Sequence, residues 1–169
     1  RAVHRLFPVT QGNPDYASII NARQHARLKN LLDDALSQGA RLAPVNPPAG
    51  PDAGELARQM LPVLVFDTQP GMKLMQEEIF GPVLPVLVYD ALEQAIAYIN
   101  ERPRPLALYW FGRDSAAREL VLNGTVSGGV CINDTLMHIA HDNLPFGGVG
   151  ESGWGAYHSV SGFLRFCQQ

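Results

Sequence analysis

Apolar positions along this chain recur at two spacings. From Asn21 onward, Leu28, Leu31, Leu32, Ala35 and Leu36 return at helical intervals, which predicts a helix with one apolar face. Asn21 with Gln24 three residues later is close to a capping box, and Gly39 supplies a stop. Residues 44–54 are rich in Pro and Gly and predict a surface loop, too short to be an interdomain linker. Residues 61–66 are a short, branched-rich apolar run and predict a strand. The rhythm then sharpens. Residues 83–89 predict a strand with Pro85 near its edge or start. Asp90 is the predicted cap of a helix with Glu93 at its third position and Leu92, Ile96 and Ile99 on one face. Residues 106–111 predict a second strand. Asp114 opens a further helix through Ala117, Leu120 and Val121, with Asn123-Gly124 as its stop. Residues 130–132 predict a third strand, and 163–167 a short strand or extended end. This alternation predicts an α/β fold: an open, mostly parallel sheet with flanking helices. The strands are apolar runs, as expected of strands covered on both faces.

Composition narrows the class. Of 169 residues, 46% are hydrophobic and 17% charged, which excludes a disordered tail. Lys+Arg is 13 against Asp+Glu 16, so no basic excess exists to hold a nucleic acid, although a small local patch stays open. No run approaches the roughly 18 apolar residues of a membrane span, and no signal-peptide pattern opens the chain. Two cysteines, Cys131 and Cys167, are too few for a disulfide scaffold. A reducing, cytoplasmic setting is the simpler expectation, with one bridge between them left open.

Two clusters can carry chemistry. Gln76-Glu77-Glu78-Ile79-Phe80-Gly81-Pro82 stands directly before a predicted strand. An ionised carboxylate can accept both hydroxyls of a ribose, and an aromatic two residues on can pack on a flat ring. The plainer alternative is a polar turn with Phe80 in the core, and the residues alone favour it. The second cluster is Cys131 with His138 and His141. A nucleophilic pair needs thiol and imidazole within hydrogen-bond reach, yet Cys131 follows two glycines in an apolar run and reads better as a small buried hydrophobe. His138 and His141 with Asp134 or Asp142 could supply metal ligands; polar loop contacts are the stronger expectation, and no metal is expected. The late glycine loop lacks the Gly-Lys-Ser/Thr ending of a P-loop and is not a dinucleotide fingerprint.

With these residues in view, the chain resembles the aldehyde dehydrogenase superfamily. Glu78-Ile79-Phe80-Gly81-Pro82 matches its Glu-x-Phe-Gly-Pro motif. Gly12-Asn13-Pro14, Ile20-Asn21, Pro105-Leu106-Ala107-Leu108-Tyr109 and Ser127-Gly128-Gly129-Val130-Cys131-Ile132-Asn133-Asp134 follow in the family's order. Leu144-Pro145-Phe146-Gly147-Gly148-Val149-Gly150-Glu151-Ser152-Gly153 completes the set. Val149-Gly150 and Gly155-Ala156-Tyr157-His158 resemble the class 3, fatty-aldehyde and coniferyl aldehyde branch.

The resemblance implies cofactor contacts at Glu78, on the nicotinamide-side ribose hydroxyls, and at Phe80, beside the nicotinamide ring. It implies a substrate-pocket wall at Phe146, and leaves the roles of Asn133 and His138 open. It also implies the family's reaction: thiolate attack on an aldehyde, hydride transfer to NAD(P)+ and hydrolysis of the thioester. Coniferyl, other aromatic and fatty aldehydes are the expected substrates. NAD and NADP are not distinguished, and the parent is expected to be a homodimer or homotetramer. Against the family's pattern, residues 1–169 resemble part of a catalytic domain. The nucleophilic cysteine, general base, oxyanion-hole asparagine and cofactor-binding domain are expected upstream of Arg1, and an oligomerisation strand after Gln169. No catalytic residue is therefore expected within the chain. Taken alone, it is expected to be inactive and to bind no NAD(P) appreciably. The alternative is a non-catalytic binding or assembly protein that keeps part of the fold.

Overall fold

A computed structural model describes residues 2–8, 10, 13–45 and 58–167. The chain divides into two units, Arg1–Val88 and Tyr89–Gln169.

The first unit opens with α1 (Ala2–Leu6) and then α2 (Ala22–Ser37). Asn21 caps α2 as predicted, its side-chain oxygen accepting the Gln24 N–H at 2.9 Å. Gly39 follows with φ +93°, a conformation that costs a glycine little. The α2 stripe buries Leu28, Leu31 and Ala35, whereas Leu36 at its margin is 50% exposed. Three short strands follow: β1 (Arg41–Pro44), β2 (Val63–Phe66) and β3 (Val83–Pro85). They form one sheet in the order β1-β2-β3, with a 3-10 turn at Lys73–Met75 between β2 and β3. β2 and β3 are parallel, with Val63 opposite Val83. β1 pairs antiparallel to β2, Arg41 opposite Phe66. No alternating or branched pattern marks β1, so sequence spacing misses it; Val45 extends the contact by donating to the Pro62 carbonyl at 2.7 Å. From residue 46 the predicted loop lies outside the described residues, as does Gly12 of the Gly12-Asn13-Pro14 turn. β3 is shorter than the predicted 83–89. Val86 still donates to Val65, but Pro85 has no N–H to continue the ladder. Val63, Val65, Met72, Leu74 and Val83 close the core against α2.

The second unit comprises α3 (Leu92–Asn100), β4 (Ala107–Trp110), α4 (Ser115–Gly124), β5 (Gly129–Ile132), α5 (Met137–Ala140), a 3-10 turn at Gly150–Ser152 and α6 (Ser159–Arg165). β4 and β5 are parallel, Tyr109 opposite Cys131, with α4 as the crossover. Asp114 caps α4 through the Ala117 N–H at 3.0 Å. Its predicted stop comes late: Gly124 stays in the helix, and Asn100 donates to the Gly124 carbonyl at 2.7 Å. The cap of α3 also shifts by one residue, to Ala91. The Gln94 side-chain oxygen accepts the N–H groups of Asp90 and Ala91, so Asp90 stays outside the helix.

The 163–167 tail is not extended: α6 runs to Arg165 and a turn follows. Its backbone bonds locally, Gly162 donating to His158 and Phe166 to Phe163, because no strand among the described residues pairs with it. The β4–β5 strands are not fully covered either. Val130 is 40% and Ile132 44% exposed, and Cys131 is the buried member of β5. Among the described residues, no helix is long and apolar enough to cross a membrane.

Candidate functional site

In the first unit, the loop Glu78–Gly81 is built onto α2. Arg27, one turn into that helix, organises it. Its Nη2 donates to the carbonyls of Glu78, at 3.1 Å, and Ile79. Its Nη1 reaches the Glu77 carboxylate at 3.3 Å, and its Nε donates to the Gln24 side chain at 3.0 Å. A planar guanidinium suits this divided task, since its donors point along fixed directions. Gly81 permits the approach: a Cβ there would stand 2.5 Å from Leu28 Cδ1. Ile79 turns inward against the core.

This anchoring separates the neighbouring side chains. Glu77 is paired with Arg27, whereas the Glu78 carboxylate is exposed and engages no partner among the described residues. Phe80 adopts φ +51° and is 76% exposed, which removes the alternative of Phe80 as core. A left-handed aromatic held clear of the core is a strained arrangement that its surroundings must maintain. Glu78 and Phe80 border a concavity of about 690 Å³ that Ile19, Ile20, Gln24 and Arg27 also line. Its size is within the range of small-ligand sites. An open carboxylate beside an exposed aromatic face fits a ribose carrying a flat ring.

The second unit collects the other singled-out residues. Cys131 Sγ lies 3.2 Å from His138 Nδ1 and accepts the His138 backbone N–H at 3.3 Å. Both residues are buried, at 6% and 9% exposure, which denies the thiol the access a nucleophile needs. His138 lies between Tyr109 and Phe146, with ring centroids at 5.8 and 5.5 Å. Phe146, half-buried, stacks on His158 at 5.9 Å and exchanges two backbone hydrogen bonds with Tyr157, each 2.9 Å. Gly128 and Gly129 let the Gly147 backbone and the His138 ring approach the strand closely. A Cβ on Gly129 would come within 2.6 Å of His138 Cδ2, and one on Gly128 would collide with the Gly147 carbonyl. Asn133, with φ +57°, clamps the strand ends: it accepts from the Gly112 N–H at 2.9 Å and donates to the Gly112 carbonyl at 3.1 Å. His141 and Asp142 are exposed, apart from buried His138. Among the described residues, no three His, Cys, Asp or Glu side chains cluster as metal ligands.

Sequence reasoning brings Glu78 and Phe80 together but passes over Arg27, because nothing local marks an arginine that acts 51 residues away. It weighs Cys131 with His138, and the geometry joins them, though in a buried role.

Residues 3–169 match the model of the aldehyde dehydrogenase family. A probable coniferyl aldehyde dehydrogenase of Pseudomonas aeruginosa is 53% identical over 97% of this chain and 33% of its own length. One from Caulobacter vibrioides is 49% identical over 98% of this chain and 34% of its own. The chain thus spans about a third of the length of the curated relatives it matches. Among solved structures, the substrate-bound Staphylococcus aureus AldH aligns with TM-score 0.82 and 40% identity, over 98% of this chain and 34% of that one. Lactaldehyde dehydrogenase from Escherichia coli aligns with TM-score 0.76 and 26% identity, over 98% of this chain and 36% of that one.

Proposed function

Since the chain belongs to the aldehyde dehydrogenase family, we propose that it is the part of an NAD(P)-dependent aldehyde dehydrogenase that holds the nicotinamide end of the cofactor and one wall of the aldehyde pocket. The observation that carries this reading is the anchored Glu78–Phe80 loop, with one carboxylate left open and one aromatic face exposed. Bound NAD(P)+ supplies a hydride acceptor, and an aldehyde is oxidised to its carboxylic acid. Glu78 accepts the hydroxyls of the nicotinamide-side ribose. Phe80 offers its face to the nicotinamide ring and restricts its movement. Arg27 holds both through the loop's carbonyls. Phe146 contributes to the pocket wall. The coniferyl aldehyde dehydrogenases among the relatives support an aromatic aldehyde as substrate, with fatty aldehydes next. Two free cysteines support a reducing, cytoplasmic setting, and we assign the parent a homodimeric or homotetrameric state.

The test uses the full-length gene product, with coniferyl, benzyl-type and long-chain aldehydes against NAD+ and NADP+. Reduced cofactor should form with at least one aromatic aldehyde; its absence across the whole panel would sink the reading. Glu78→Gln should raise the KM for cofactor about ten- to hundredfold, because a charged acceptor contributes about 1.5–3 kcal/mol to such hydrogen bonds. An unchanged cofactor KM would remove Glu78 from the site.

A further inference from the structure

The buried pair Cys131–His138 takes part in no step described above, yet it is fully organised. We propose that Cys131 and His138 are positioning residues for Phe146, and so set which aldehydes the pocket accepts. This rests on the reading of Phe146 as pocket wall.

A buried imidazole packed by rings alone could turn about its Cβ–Cγ bond and keep similar packing. Here the Nδ1 edge is held by Cys131 Sγ at 3.2 Å, and the same sulfur holds the His138 backbone N–H at 3.3 Å. Two contacts on one atom fix both the start of α5 and the ring plane. The thiol is suited to this, since it can donate to Nδ1 while accepting the backbone N–H. The bare Gly129 lets the ring rest on β5. With its plane fixed, His138 presents one side to Tyr109 and another to Phe146, at 5.5 Å and 43°. Phe146 is held on its other sides by Tyr157 and His158. The thiol is thus the buried end of a column whose other members include the pocket wall. Releasing it lets the column shift, and an aromatic aldehyde should sense that shift more than a small one.

The experiment measures kcat/KM for an aromatic aldehyde and for propanal in the full-length enzyme carrying Cys131→Val, Cys131→Ser, His138→Asn or Phe146→Leu. Cys131→Val stays apolar, adds one methyl-sized branch and loses the hydrogen bonds. It should change the aromatic-to-propanal ratio about tenfold, chiefly through the KM for the aromatic aldehyde. Cys131→Ser, which keeps a donor and acceptor, should restore most of the ratio. A role in packing alone would produce the opposite order, with Val tolerated and Ser not. His138→Asn retains a polar group near the sulfur but removes the ring, and should change the ratio in the same direction as Cys131→Val. It keeps the test available if the valine variant does not fold. If Phe146→Leu changes the ratio while Cys131→Val and His138→Asn leave it alone, the positioning role is overturned and the pocket reading stands. If Phe146→Leu leaves the ratio unchanged, the pocket reading itself falls.

Discussion

Arg27 makes contacts that no neighbour in sequence can supply. One guanidinium reaches two backbone carbonyls, a carboxylate and an amide. The ion pair with Glu77 is partly solvated and contributes little by itself. The carbonyl bonds matter more, because they hold a strained Phe80 away from the core. Arg27→Met keeps the aliphatic stem and loses the donors. It should lower stability by about 1–3 kcal/mol in denaturant titrations and raise the KM for cofactor in the full-length enzyme. An unaltered KM would mean that the loop holds its shape without the arginine. Tyr16 offers a pH handle. Its hydroxyl donates to the Met60 carbonyl at 2.8 Å, and burial raises its pKa above the ordinary 10.0. A raised folded-state value means stability present below the unfolded pKa and lost as pH rises through the folded one. Unfolding midpoints should therefore fall in the alkaline range above 10.0, and Tyr16→Phe should flatten that decline.

Helices of this protein are legible wherever a cap and a stripe coincide. Asn21 and Asp114 each sit at a junction where a side-chain oxygen meets an orphan N–H, a relation spanning three residues. Asn21→Ala should cost about 1 kcal/mol, measured as a shifted denaturant midpoint with unchanged slope. The strands are less legible. β1 carries no pattern of its own and exists because β2 offers an edge to pair with. The run 163–167 has strand-like residues but no strand to join among the described residues, and the end of α6 and a following turn satisfy its backbone instead. Pairing is a non-local decision, which local spacing cannot report.

Across the whole chain, apolar surface is unevenly covered. Trp154 is 90%, Phe166 92% and Val88 87% exposed. Surface of this kind associates in water, so the 169-residue chain should self-associate as its concentration rises. Sedimentation velocity would show this, and a clean monomer at high concentration would count against it. At this scale the division between order and packing is plain. Residue order alone carries the α/β class, the helix caps and the Glu78-to-Pro82 motif, because periodicity, capping and motif spacing all act within a few residues. Folding alone decides which of Glu77 and Glu78 stays open, that Phe80 faces outward, and that a cysteine and a histidine seven residues apart share a hydrogen bond beneath Phe146. Those outcomes depend on contacts such as Arg27 to Ile79, 52 residues apart, and on the absence of a Cβ at Gly81 and Gly129. Close approach between distant segments is a property of packed volume, and it leaves little trace in local spacing.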